Sequence, residues 1–263
     1  MSRWLAAGLL LLATAATAQP ASYLTPEAAV NKAGRQRMLA EFMVKEYLQA
    51  AENVDGAQAR GHLAEAVWVF DDQLADLKGF ERDPALQAHV TELAQAWAQF
   101  RPLVTAPPSR QGVAALAAAG KALHAAAQGN TAALVEKLGS PRARLVSLAG
   151  RQRMLSQRIA KDFLLLAWRA AVPDAADELE RSVGEFDRAH AELLVAARGD
   201  ELRRELAEVD RAWKAIRPLL AAAAASRRFQ AAERARVVSG TDAVLTRMER
   251  VTALFEREPP ALP

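Results

Sequence analysis

Ala33-Gly34-Arg35-Gln36-Arg37-Met38-Leu39 recurs unchanged as Ala149-Gly150-Arg151-Gln152-Arg153-Met154-Leu155, 116 positions further on. The same offset carries Lys45 to Lys161, Leu48 to Leu164, Phe70-Asp71 to Phe186-Asp187, Trp97 to Trp213 and Arg101-Pro102-Leu103 to Arg217-Pro218-Leu219. A constant, ungapped offset over that distance marks a tandem duplication, and each unit must build the same fold.

Composition sets the fold class. Of the 263 residues 51% are hydrophobic, mostly alanine and leucine, with 13 glycines, 12 prolines and few β-branched runs. An all-α protein is expected. Turn chemistry breaks each unit into four helices, expected at about 26–53, 57–80, 84–104 and 110–137, then 141–171, 174–197, 200–222 and 226–257. Ser109 and Ser140-Pro141 suit N-caps, and Arg101-Pro102 and Arg217-Pro218 suit helix C-termini. Long helices with short links are the pattern of antiparallel four-helix bundles, here two in tandem, over 19–138 and 139–263.

Residues 1–18 read as a secretory signal peptide. Arg3 leads the short apolar run Trp4–Leu12, and Ala16-Thr17-Ala18 is a small-x-small cleavage pattern. Export to the periplasm is expected, the alternative being an inner-membrane anchor formed by the uncleaved segment. No later apolar run approaches spanning length.

The absence of cysteine excludes disulfides, thiolate metal sites and thiol nucleophiles. The four histidines keep no histidine counterparts at the repeat offset, and no phosphate loop, nucleophile elbow or His-Glu-x-x-His is present. No enzyme and no cofactor is therefore expected. The 34 basic and 31 acidic residues are interspersed, so nucleic acid is not an expected partner.

On a helical wheel, Leu145, Leu148, Gln152, Leu155, Ile159, Phe163 and Leu166 form the core stripe of the second copy, matched by Ala29, Lys32, Gln36, Leu39, Met43, Tyr47 and Ala50. Arg151 falls with Arg144, Ser147, Arg158, Asp162 and Arg169 on a face expected to be solvated. Arg153 points about 160° away, among Ala149, Ser156, Ala160, Leu164 and Ala167, and Arg37 falls likewise among Ala33, Ala40, Val44, Leu48 and Ala51. Stripes of small residues admit close helix approach, and the simplest partner of each is the same helix of the other repeat. The two bundles then pack as an intramolecular pseudo-dimer that brings Arg37 and Arg153 together. Gly34 and Gly150, each costing about 1 kcal/mol against alanine in mid-helix, let backbones or a ligand come close. Two fates are open to such arginines: snorkelling or pairing with carboxylates, or holding a small planar anion between two forks of donors.

The repeated motif, continued in the second copy by Ser156-Gln157-Arg158-Ile159-Ala160-Lys161, resembles the first-helix signature of a sensor family. It is that of the N-terminal periplasmic domain of type IV pili methyl-accepting chemotaxis transducers and of nitrate/nitrite-sensing histidine kinases. The first copy departs from it after Leu39, with Ala40-Glu41-Phe42. The resemblance implies a four-helix bundle. From the nitrate sensors it implies one nitrate or nitrite held between the arginines before the methionine, here Arg37 and Arg153. Output is then expected to pass through a membrane-bound signalling partner. A ligand-free helical interaction module of a pilus, chemotaxis or envelope signalling complex is the alternative.

Overall fold

The computed structural model describes residues 24–52, 56–80, 83–226 and 229–257. Among them the chain forms eight helices and no strand: α1 Pro26–Glu52, α2 Gly56–Phe80, α3 Pro84–Val104, α4 Val113–Leu138, α5 Pro141–Ala167, α6 Ala175–Ala196, α7 Asp200–Ser226 and α8 Ala231–Arg257. The leader read at 1–18 lies outside the described residues.

Local chemistry explains the boundaries. The Asp83 carboxylate accepts from Ala85 N and is followed by Pro84, and the Ser140 hydroxyl accepts from Ala143 N and is followed by Pro141. Both are N-caps with proline in the first turn. Gly139 closes α4 in the left-handed conformation (φ 59°), which costs glycine least. Four expectations shift. The α4 helix begins at Val113 with Gly112, not Ser109, at its N-cap, the Ser109 hydroxyl accepting from Gly112 N instead, and α8 begins at Ala231 rather than near 226. The α5 helix stops at Ala167 because Arg169 turns left-handed (φ 50°) and Ala170 N bonds back to Leu165 O. The α7 helix runs past Pro218 to Ser226, so Arg217-Pro218 lies inside it. The alanine-rich stretch after the proline carries the helix onward.

Each set of four helices is an antiparallel bundle in which α1 lies beside α2 and α4 while α3 closes the square, and α5 to α8 repeat this arrangement. The cores repeat as well. Phe70 meets Trp97 at 4.1 Å between ring centroids, and Phe186 meets Trp213 at 4.1 Å. Gln36 Nε2 donates to Phe70 O at 3.3 Å and Gln152 Nε2 to Phe186 O at 3.1 Å, tying each first helix to its second. Among the described residues the most extensive helix–helix contact is α1 against α5, so the bundles form the expected pseudo-dimer. Both helices are covered on nearly every face, and their small-residue stripes are buried.

A buried arginine pair at the seam between the repeats

The crossing of α1 and α5 is built on glycine. The Gly34 Cα lies 4.0 Å from the position a Cβ on Gly150 would take. That same position is 3.2 Å from Arg153 Nη2 and 3.5 Å from Arg37 Nη2. A Cβ on Gly34 would stand 3.2 Å from Arg37 Nη2 and 3.7 Å from Arg153 Nη2. The structure thus brings together all four expected residues, Arg37, Arg153, Gly34 and Gly150. The guanidiniums fill the space that missing side chains leave.

Both arginines are deeply buried, at 2% and 0% exposure, and both reach across the seam. Arg37 Nη2 donates to Ser147 O at 3.1 Å, and Arg153 Nη2 donates to the Asn31 side chain at 2.7 Å and to Asn31 O at 3.4 Å. Positions 31 and 147 are repeat equivalents, so each arginine caps the same carbonyl of the opposite copy. The Nη1 groups turn to the fourth helices: Arg37 Nη1 donates to Gln128 Oε1 at 2.9 Å, Arg153 Nη1 to Glu249 Oε2 at 2.7 Å. Arg35 shares Glu249, and Arg151 pairs with Glu185.

The symmetry is broken at this last contact. Arg153 has a carboxylate partner, whereas the hydrogen-bond partners of Arg37 are all neutral. Burial, with Arg153 beside it, pulls the Arg37 guanidinium down to about 9, still a cation at neutral pH. Burial also lowers Arg153, with Glu249 opposing. Glu249 is pushed up by burial but held below its ordinary value by Arg153 and Arg35. The Nε atoms of both arginines are buried without an acceptor. Of the two fates open to the pair, pairing with a carboxylate describes Arg153, and neither snorkels.

Gln128 and Glu249 escape a search at a single offset. The loop before α4 differs from that before α8, and beyond it the repeat runs at 121 positions. Buried Leu116, Leu123, Ala127 and Leu134 then match Val237, Val244, Met248 and Phe255. Thr131 and Thr252 match too, each donating to the carbonyl four residues back.

A second buried polar group corrects the wheel. Arg144, Arg151 and Arg169 are exposed as expected, but Arg158 and Asp162 of the same face are largely buried, Arg158 reaching Glu41 of α1. Glu41, in the segment where the first copy departs from the motif, accepts from Arg158 Nε at 2.9 Å and pairs with Lys161 at 2.7 Å. Its Oε1 lies 3.2 Å from His124 Nδ1. Burial raises the Glu41 carboxyl, but Lys161 and Arg158 outweigh it and hold the group well below the usual carboxylate range. Burial opposes the charge of Lys161, yet Glu41 carries it up to about 12. Burial pushes Asp162 up to about 6 and His124 down to about 4. In the other copy Lys45 takes the place of Lys161. It pairs with Glu46 at 3.0 Å and Asp242 at 2.5 Å and lies 4.7 Å above the Phe42 ring. The repeated Phe-Asp and Trp pairs are structural, as expected: Trp97 and Trp213 donate to Asp71 and Asp187 at 2.7 Å, and Arg101 and Arg217 pair with the same carboxylates.

Among the described residues, no helix is long and apolar enough to cross a membrane, and no group of three or more acidic or histidine side chains is arranged to hold a metal. No curated protein and no solved structure matches the chain. The family described as type IV pili methyl-accepting chemotaxis transducer N-terminal domain (PilJ) matches twice, over residues 25–132 and 140–237. That match gives no support to the nitrate- and nitrite-sensing part of the resemblance. Two tandem matches covering most of the sequence, on two bundles related by the repeat, establish that the chain belongs to the family of type IV pili chemotaxis transducer N-terminal domains, a non-catalytic sensory module.

Proposed function

We propose that the chain is a helical interaction module of a pilus, chemotaxis or other envelope signalling complex, read by a membrane-bound partner through the packing of its two repeats. On this reading residues 1–18 direct export to the periplasm, and 19–138 and 139–263 are two sensor-like units. The observation that carries the proposal is the polar seam. Glu41 with Arg158 and Lys161, Arg37 with Ser147, and Arg153 with Asn31 each join α1 to α5. A slip of one helix past the other would break all of these contacts together, so the seam suits a switch between discrete packings. A partner moves such an equilibrium only by binding one packing better than the other.

A photo-crosslinking residue in place of Trp68 on α2 or Val195 on α6, 66% and 81% exposed, tests this in the native cell. The expected product is a cross-link to an inner-membrane component of a pilus or chemotaxis apparatus, reduced by Glu41→Gln. No such product, or one indifferent to the seam, would overturn the reading.

A second reading places a small inorganic anion, nitrate or nitrite, between Arg37 and Arg153, with Gly34 and Gly150 giving the room. It is supported by the two unpartnered Nε donors and by the lack of a carboxylate on Arg37. Calorimetric titration with nitrate, nitrite and chloride tests it. Saturable binding lost in Arg37→Ala and Arg153→Ala supports the site, and the absence of saturable heat removes it.

A further inference from the structure

Away from the arginine pair, a groove of about 390 Å³ opens where α1, α2, α5 and α8 meet, lined by Glu46, Gln49, Glu52, His62, Arg234 and Asp242 among others. That volume is in the range of small-molecule sites. Two buried acceptors on its α1 wall lack a donor: Gln49 Oε1 and Glu52 Oε1, the latter on a carboxylate only 7% exposed. The other oxygen of Glu52 accepts from Arg234 Nη1 at 2.9 Å. Behind the wall, the fully buried Lys45 is shared by two of the lining carboxylates, Glu46 and Asp242. His62 Nδ1 stands 3.4 Å from Glu46, and Arg236 is exposed at the rim. The three lining carboxylates thus have cationic neighbours in Lys45, Arg234 and Arg110, and what the wall leaves without a partner are the two acceptor oxygens of Gln49 and Glu52.

The duplication shows that the fold does not need these groups. At the equivalent positions of the other copy, Gln49 becomes the buried Leu165, Glu52 becomes Trp168 and Arg234 becomes Val113. The polarity of the outer pair is also exchanged, with Lys121 facing Asp174 and Glu178 where Asp242 and His62 stand here. An unpaired buried acceptor costs stability, and the sister copy avoids that cost with apolar side chains. One copy therefore keeps two donor-less acceptors on the wall of an open groove, where the other copy carries apolar side chains.

We propose that this groove binds a small organic cation rich in N–H donors, an alkyl diamine or guanidino-amine, whose ammonium or guanidinium end donates to Glu52 Oε1 and Gln49 Oε1. Its aliphatic part would lie along the apolar wall that includes Ala59 and Leu164. The site is independent of the arginine pair and of any anion held there.

The test is calorimetric titration of the exported chain with agmatine and with putrescine, using glutarate as the control of opposite charge. Saturable one-to-one binding of at least one amine, none of glutarate, and affinity at least tenfold weaker in Gln49→Leu and in Glu52→Leu are expected. Gln49→Leu leaves the Glu52–Arg234 pair in place, so it decides the matter if Glu52→Leu fails to fold. No saturable heat with either amine, equal binding of glutarate, or unchanged affinity in Gln49→Leu would overturn the proposal.

Discussion

Gln128 and Glu249 stand at equivalent positions of the fourth helices and offer the Nη1 groups of Arg37 and Arg153 an amide oxygen in one copy and a carboxylate in the other. The seam is thus a two-fold arrangement in geometry but not in charge. Substitution at these two positions separates the two properties.

Glu249→Gln makes both sides neutral and leaves Arg153, fully buried, without its counter-charge. Removing one partner of a buried pair costs about 3 kcal/mol or more, so the thermal midpoint drops by several degrees. If an anion is held at the seam, nitrate restores more of the midpoint in this variant than it adds to the wild type. Gln128→Glu runs the other way, supplying Arg37 with a carboxylate and raising stability by about 1 kcal/mol. Thermal unfolding with and without nitrate measures both.

Glu41→Gln strands Arg158 in the seam and leaves Lys161 with Asp162 alone, and a loss of about 3 kcal/mol is expected. The matched Lys45 cluster offers a control. Asp242→Asn removes a half-exposed carboxylate while Glu46 remains on Lys45, so its cost is smaller, about 1 kcal/mol. Urea unfolding of the two variants gives the comparison, and equal losses would refute the unequal weighting.

Acidification acts through His124. Burial lowers its folded pKa from 6.5 to about 4, with Glu41 opposing and Arg158, Arg37 and Lys161 adding to the shift. The unfolded chain therefore takes up this proton first. The stability contributed by neutral His124 is complete above pH 6.5 and is lost as pH falls toward 4, on the order of 3 kcal/mol. Asp162, raised by burial from 3.8 to about 6, works in the opposite sense, stabilising the fold as pH falls through the same region. His124→Gln is expected to remove the destabilising part of the acid slope. Midpoints taken at half-unit steps from pH 7.5 to 4.5 test this, and a curve parallel to the wild type would exclude His124 as its source.

Gly150→Ala opposes two effects. Alanine gains about 1 kcal/mol of helix propensity, but its Cβ would meet both arginine Nη2 atoms at 3.2 and 3.5 Å and the Gly34 Cα at 4.0 Å. Both guanidiniums are held by hydrogen bonds across the seam and cannot retreat freely, so a net loss of about 1–2 kcal/mol is expected. Gly61, where an added Cβ meets nothing within 4 Å, is the matched control and gains stability as alanine.

The helices, the Ser140 cap, the duplication and the Arg37–Arg153 juxtaposition are legible in local spacing, because each depends on residues a few turns apart or on one constant offset; the Ser109 cap is not, since α4 begins four residues later, at Val113. The α7 helix runs to Ser226, beyond the expected 222 and past Pro218, because the alanines after the proline sustain it. Gln128 and Glu249 lay beyond a change of offset. Arg158 and Asp162 were misplaced because a wheel shows which residues share a face, not which helix covers it. The partner that draws Arg158 inward is Glu41, a residue of the other copy.

Only Gly139 and Ser140 separate α4 from α5. Two repeats on so short a tether meet at an effective concentration far above that of separate chains, so dilution cannot part them. Two interchangeable chains must carry the same residue on both sides of their contact. A covalent pair is released from that constraint, and Gln128 against Glu249, or Gln49 against Leu165, records the freedom taken. A ligand entering such a seam meets a left and a right, and binds in one orientation.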